Sequence, residues 1–229
     1  MKHFDQNTAN QYDHDIRLRI PGYNLIQELI SAVLDVEVPT SARMLVVGSG
    51  TGEEIVRVAS RYSGWRIDGI EPSAEMNRIA AQKTGIYKSQ NQIHLHEAKI
   101  EDFTSTEGYD VALSVFVSHF LPDDGSKLQF FKKVATHLKP GALFVFADMM
   151  KQSDSVGEIF IASNYYWAKT QGLEMPQLRD LPGRLRNLFH PMDENRMREI
   201  FTEVGFKIEG RFAQSLGYSG YVARKTVSK

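Results

Sequence analysis

The sequence predicts an α/β fold in which helices cover both faces of a mostly parallel sheet, and three observations carry that expectation. Residues 44–47 are an apolar run of strand length that feeds straight into Gly48-Ser49-Gly50-Thr51-Gly52, after which Ile55, Val56, Val58 and Ala59 read as a helix. A second strand-like run, residues 65–70, ends in Glu71-Pro72-Ser73. Residues 109–116 are nearly continuous apolar sequence, the pattern of a central parallel strand buried on both faces.

The glycine turn points to a nucleotide-like ligand. Glycine lets the chain bend tightly and lets a ligand approach with no Cβ in the way. The following helix start offers free N–H groups and a positive dipole end. A carboxylate closing the neighbouring strand can accept both hydroxyls of a ribose, which makes Glu71 the sugar-binding candidate. A dinucleotide fingerprint, G-x-G-x-x-G, needs glycine at position 53; this chain has Glu53 there and its third glycine at Gly52. That shift argues against a pyrophosphate-bearing cofactor.

The rest of the chain follows in order. Residues 1–20 are polar with scattered apolar and aromatic residues, Phe4, Tyr12, Ile16, Leu18 and Ile20, a segment that could fold over the ligand as a lid with Tyr12 and His14 facing the pocket, or simply anchor to the core. After Pro21-Gly22-Tyr23, Leu25, Ile26, Leu29, Ile30, Val33 and Leu34 keep helical spacing. Residues 74–83 predict a helix with Met76, Ile79 and Ala80 on one face, and residues 93–96 a third strand. His94 and His96 share a strand face but have no carboxylate at ligand spacing, so no metal site is expected. Beyond the fourth strand, His119 stands where a substrate-side base or a packing residue would be; an unperturbed imidazole titrates near pH ~6.5 and suits deprotonating a nucleophile. Leu128, Phe131, Val134 and Leu138 form a helical stripe stopped by Lys139-Pro140-Gly141. Residues 142–148 are the fifth strand, where Asp148 could orient a substrate amine or cap the strand.

Residues 153–192 read as an insertion: a helix with an aromatic end at Tyr165, Tyr166 and Trp167, then an irregular basic stretch over 175–186. The aromatics could stack on a flat substrate, and Arg179, Arg184 and Arg186 could hold a carboxylate or phosphate. A last helix through Met197, Ile200, Phe201 and Val204 precedes an antiparallel pair, 206–212 and 218–224.

At 229 residues the chain is long enough for one α/β domain with an elaboration, divided as an N-terminal lid and helix (1–40) and the ligand-binding domain (41–229). A formal net charge of −1 implies no obligatory nucleic-acid partner. The absence of cysteine excludes disulfides, thiolate catalysis and cysteine zinc sites, and fits a cytoplasmic setting. No apolar run approaches the roughly 18 residues of a membrane span, and the opening residues lack the apolar core of a signal peptide.

The glycine turn, Glu71-Pro72-Ser73-Ala74-Glu75-Met76 and "LKPGALFVFAD" (138–148) together resemble the motifs of class I S-adenosylmethionine (SAM)-dependent methyltransferases, over residues 43–225. The resemblance implies a Rossmann-like seven-stranded sheet, SAM as cofactor and S-adenosylhomocysteine (SAH) as its product. It implies cofactor contacts from Tyr23, Gly48, Ser49, Gly50, Thr51, Gly52, Glu71, Pro72, Ser73, Met76, Lys99, Ile100, Glu101, Ser114, Val115 and Phe116. Methyl transfer to a small-molecule acceptor is the expected activity, with His119, Tyr12 and Arg184 as catalytic candidates and no metal. Pro21-Gly22-Tyr23, residues 116–121 and residues 193–206 also look like carboxy-S-adenosylmethionine synthase, an enzyme of tRNA wobble modification. There the tyrosine after Pro-Gly, here Tyr23, meets the cofactor's methionine end, and an arginine before the last helix that binds the added carboxylate and an asparagine closing the fourth strand are expected; this chain has His190, for which Arg184 or Arg186 could compensate, and Val115. A nucleotide-cofactor oxidoreductase and a non-catalytic SAM-binding protein are the other classes left open, as is a homodimer.

Overall fold

The computed structural model describes residues 6–227; Phe4 lies outside them. Within this span the strands are β1 (Arg43–Val47), β2 (Arg66–Ile70), β3 (Gln92–His96), β4 (Tyr109–Val115), β5 (Leu138–Met149), β6 (Phe206–Ser215) and β7 (Tyr218–Lys225). They form one seven-stranded sheet in the order β3-β2-β1-β4-β5-β7-β6. All neighbours from β3 to β5 are parallel, and β7 runs antiparallel to both β5 and β6. The order reverses at β1, so β1 and β4 open a crevice at their carboxyl ends, where ligands of such sheets bind.

The helices are α1 (Gln6–Arg19), α2 (Tyr23–Glu37), α3 (Glu53–Ala59), α4 (Ala74–Thr84), α5 (Ser126–His137), α6 (Asp154–Thr170), α7 (Gln177–Asn187) and α8 (Glu194–Glu203). Strand alternation divides the core between the two faces of the sheet. Leu45 and Val47 of β1 join a cluster with Phe131 of α5, Phe201 of α8, and Phe144, Phe146 and Phe206. Its rings pack edge to face and stacked, with Phe131–Phe201 centroids 5.0 Å apart and Phe144–Phe206 4.8 Å. Met44 and Val46 face the other way, against Ile26, Ile30 and Leu34 of α2 and Ile55 and Val58 of α3. Burial of both faces explains why β1 is apolar almost throughout.

Two local expectations need correction. Lys139-Pro140-Gly141 does not form a turn after the helix: α5 ends at His137 and β5 begins at once at Leu138, running through Pro140. The basic stretch over 175–186 is not irregular, because Gln177–Asn187 is helical. Leu178, Leu181 and Leu185 bury one stripe with Ala168 and Leu173, and this burial outweighs the backbone donor lost at Pro182. Among the described residues no helix is long and apolar enough to cross a membrane.

Candidate active site

The site begins where β1 stops. The N–H groups of Gly48 and Ser49 donate to the carbonyl of Ile70 at 2.8 and 3.1 Å, tying the glycine turn to the end of β2. Gly48 has a φ of +73°, and a Cβ there would lie 2.4 Å from Val117 Cγ2. Gly50 also has a positive φ, +50°, yet a Cβ on it would meet nothing within 4 Å. Its missing side chain keeps space open rather than allowing tight packing.

Glu71 closes β2 beside this turn. Its Oε2 accepts from the Gly50 N–H at 3.2 Å and its Oε1 from the Ser73 N–H at 2.9 Å. Burial pushes the Glu71 carboxyl above its usual range, and these two backbone donors only partly offset it. Asn77 Nδ2 donates to the Glu71 carbonyl at 2.6 Å and fixes the backbone behind the acid.

A cavity of about 420 Å³ opens at this corner. Of the sequence-predicted cofactor residues, Gly48, Gly50, Glu71, Pro72, Ser73, Met76, Lys99, Ile100, Glu101, Val115 and Phe116 line it. Five others do not. Ser49 is buried behind the turn, with its Oγ against Gly69. Thr51 Oγ1 donates instead to Asp13 Oδ1 at 2.5 Å, and Gly52 packs on Ala80. Tyr23 stacks on Phe116 from the core side, with centroids 5.9 Å apart. Ser114 is fully buried in the sheet. Strict alternation would put Ser114 and Phe116 on one face, but Phe116 has a φ of +59°, which breaks the extended run. Sequence reasoning missed Ala98, Val117, Phe120, Leu121 and Phe130 on the cavity wall. Phe130 stands off the helical stripe read from the sequence, and Val117, Phe120 and Leu121 fall in the run 116–121 that resembles carboxy-SAM synthase without being singled out there.

A second cavity, of about 340 Å³, adjoins the first and shares Tyr12, Phe116 and Phe120 with it. Its walls come from α1, α7 and the 3-10 turn Ser118–Phe120. His119 and Arg184, both catalytic candidates, line it together with Arg19. Tyr12 therefore stands between the two chambers. Burial, with Glu54 and Glu71 nearby, pushes its phenol well above the usual tyrosine range, so it presents a neutral hydroxyl.

His119 is held from behind. Its Nδ1 bonds Oδ1 of Asp148, which is fully buried at the end of β5. Asp148 also accepts from the Ser118 N–H and Oγ, at 2.7 and 2.6 Å, and from the N–H groups of His119 and Met149, at 3.2 and 2.8 Å. Burial alone would raise the Asp148 carboxyl; the neighbouring His119 and these donors outweigh it and hold the group below its usual range. The loop carrying His119 is fastened by Lys127, whose buried Nζ donates to the carbonyls of Ser118 and Leu121, both at 2.6 Å. Burial keeps that ammonium below the usual lysine range.

The predicted lid is α1, latched across the glycine turn. Asp13 accepts from Thr51 and pairs with Lys83 at 2.8 Å, while Arg17 pairs with Glu53 at 3.1 Å. His14 is exposed and lines neither chamber. The other candidates lie elsewhere. Tyr165, Tyr166 and Trp167 sit on α6 outside both chambers, Arg186 pairs with Glu158 at 2.6 Å, and Arg179 with Asp180 at 3.4 Å. His190 lines a separate groove, with Arg186 and Glu158, and its N–H donates to the His119 carbonyl at 2.7 Å. His96 pairs with Asp68 at 2.8 Å, and His94 is exposed. No group of three or more His, Cys, Asp or Glu arranged to hold a metal occurs among the described residues.

Comparison with known proteins agrees with this geometry. Residues 45–144 match the family described as "Methyltransferase domain". Carboxy-S-adenosyl-L-methionine synthase from Campylobacter fetus subsp. fetus is 23% identical over 225 residues, covering 97% of this chain and 94% of the relative. Magnesium protoporphyrin IX methyltransferase from Synechocystis PCC 6803, solved with bound SAH, superposes with a TM-score of 0.71 at 15% identity, covering 97% of this chain and 98% of that one. The N-methyltransferase NodS from Bradyrhizobium japonicum WM9, solved with SAH, gives 0.59 at 16% identity, covering 88% and 86%. Residues 45–144 thus match the methyltransferase-domain family, and the sheet that carries them has the fold of these solved SAM-dependent methyltransferases.

Proposed function

We propose that this protein binds SAM in the chamber between the glycine turn and Glu71 and methylates a small molecule held in the adjoining chamber. The observation that carries the reading is the contact of Glu71 Oε2 with the Gly50 N–H: the ribose-binding acid and the open glycine face one cavity. The residues suit the ligand. Glu71 offers acceptors for two hydroxyls, Met76 and Ile100 give apolar walls for a base, and Gly50 leaves room without a Cβ. When bound, SAM supplies a methyl carbon already activated by its sulfonium, so the chain has little bond activation to do.

What remains is alignment, exclusion of water and removal of a proton. His119 takes the proton from the acceptor's hydroxyl or amine on Nε2, while Asp148 fixes the ring through Nδ1 and stabilises the imidazolium that forms. Tyr12, Phe116 and Phe120, which line both chambers, supply the largely apolar surroundings in which the two substrates meet. Residues 1–40 serve as lid and supporting helix for the domain at 41–229. The cysteine-free composition fits a cytoplasmic setting.

A second reading, synthesis of carboxy-SAM, is favoured by likeness to carboxy-SAM synthases along 97% of the chain. Against it, Val115 closes β4, and His190 faces its own groove. Thermal unfolding with SAM, SAH and NAD tests the main reading: stabilisation by SAM and SAH is expected, and stabilisation by NAD alone would exclude it. Mass spectrometry of the ligand carried through purification separates the two SAM chemistries.

A further inference from the structure

The second chamber carries an unusual charge arrangement. On α1, Gln11, Asp15 and Arg19 recur at a spacing of four residues and line the chamber, so a polar stripe of this helix points inward. On α7, Leu181, Arg184 and Leu185 line it, whereas Arg179 and Arg186 face solvent in exposed ion pairs. Arg19 is anchored by Asp15, its Nη2 2.6 Å from Oδ2. Among the described residues the Arg184 side chain makes no ion pair or hydrogen bond, and burial together with the like charge of Arg19 holds its guanidinium below the usual range.

A half-buried guanidinium that faces a chamber without a protein partner is partly desolvated, and a ligand carrying the counter-charge offsets that cost. The groups facing the chamber give the sign and size of that charge. Asp15 offsets Arg19. Asp148, behind His119, lies close enough to the buried Lys127 ammonium for the two to offset each other. Asp180, whose charge also reaches Arg184, is engaged by Arg179. With His119 in the base form that the proposed proton removal requires, Arg184 leaves one positive charge without a paired carboxylate. Phe116, Phe120, Phe189 and Leu181 supply apolar walls beside it.

We infer that the acceptor is a small monoanion, a carboxylate on an apolar or aromatic body, whose carboxyl group is bound by Arg184 with help from Arg19 while its nucleophile faces His119. A guanidinium fork suits a planar carboxylate with two parallel hydrogen bonds. The single net charge favours a carboxylate over a phosphate dianion. This inference rests on the proposed cofactor chamber, so its test begins with protein already saturated with SAH.

Calorimetric titration of the SAH-saturated protein with 3-phenylpropionate, its neutral amide 3-phenylpropanamide, and phenyl phosphate distinguishes the alternatives. The carboxylate is expected to bind at least tenfold more tightly than the amide, and more tightly than phenyl phosphate. Arg184→Gln should erase that preference, Arg184→Lys should restore part of it, and neither should change SAH affinity. Equal binding of carboxylate and amide, no measurable binding of the carboxylate, tighter binding of phenyl phosphate, or a preference that survives Arg184→Gln would overturn the inference. Failure of the wild-type protein to bind SAH at all would instead defeat the proposed function.

Discussion

Replacing Glu71 separates a ligand-binding role from a structural one. In Glu71→Gln one carboxylate oxygen becomes an amide donor, so one charge-assisted bond to a ribose hydroxyl is lost. Such bonds contribute about 1.5–3 kcal/mol, and each ~1.4 kcal/mol is tenfold in affinity. SAH should therefore bind roughly 12- to 150-fold more weakly to Glu71→Gln, and at least about a hundredfold more weakly to Glu71→Ala, which loses both acceptors. Stability should stay nearly level. Burial raises the Glu71 carboxyl in the folded chain, so the native state holds that proton more tightly than the unfolded state does, and ionisation near neutral pH costs the native state free energy. Glutamine removes that cost but turns an amide donor toward one of the two backbone N–H groups, so the ligand-free variant should melt close to the wild-type temperature at pH 7. For the same reason wild-type SAH affinity should climb with pH through a transition lying above the ordinary carboxylate range. Isothermal titration with SAH and thermal unfolding of the ligand-free protein read the two effects. A Glu71→Gln variant that binds SAH within threefold of wild type would refute the reasoning.

Gly50→Val should abolish SAH binding because its branched side chain enters open cavity space, while the left-handed φ costs only about 1–2 kcal/mol, a drop of roughly 2–8 °C in the melting temperature of the ligand-free protein; unchanged SAH affinity would contradict this. His119→Gln should lower turnover by about 10²–10⁴-fold with SAH affinity intact, measured by SAH release once an acceptor is found. Asp148→Asn should also flatten acid stability: the depressed Asp148 carboxyl stabilises the fold fully above the unfolded carboxylate pKa, and that contribution is lost as pH falls through the lower folded value. Wild type should therefore lose stability below about pH 4 more steeply than Asp148→Asn, as followed by denaturant titration at several pH values. Lys127→Met exchanges two hydrogen bonds to loop carbonyls for relief of a buried charge, and a net loss of about 1–3 kcal/mol is expected, with backbone hydrogen exchange rising first in residues 116–121.

The corner between the glycine turn and Glu71 was legible because backbone conformation and strand position write themselves into residue type. Three glycines after an apolar strand, and an acid closing the next strand, place a turn and a carboxylate side by side whatever the rest of the chain does. The acceptor side was less legible. Tyr12, His119 and Arg184 were singled out one by one, but nothing in the sequence shows that α1, the turn after β4 and α7 meet around one chamber. The partnership of Asp148 with His119 joins residues from adjacent strand ends, and no local motif records it. Tyr23 and Ser114 lie outside the cavity wall for different causes: tertiary packing sets Tyr23 behind Phe116, and the left-handed Phe116 breaks the alternation that would have paired it with Ser114. The helix at Gln177–Asn187 was hidden by Pro182 and by charge, though its leucines at helical spacing carried the signal.

The most direct measurement is a crystal structure of the protein grown with SAH. We expect both ribose hydroxyls within hydrogen-bonding distance of the Glu71 carboxylate, the adenine between Met76 and Ile100, and the sulfur directed toward Phe116 and the second chamber. SAH bound elsewhere, or a Glu71 carboxylate turned away to solvent in the complex, would contradict it.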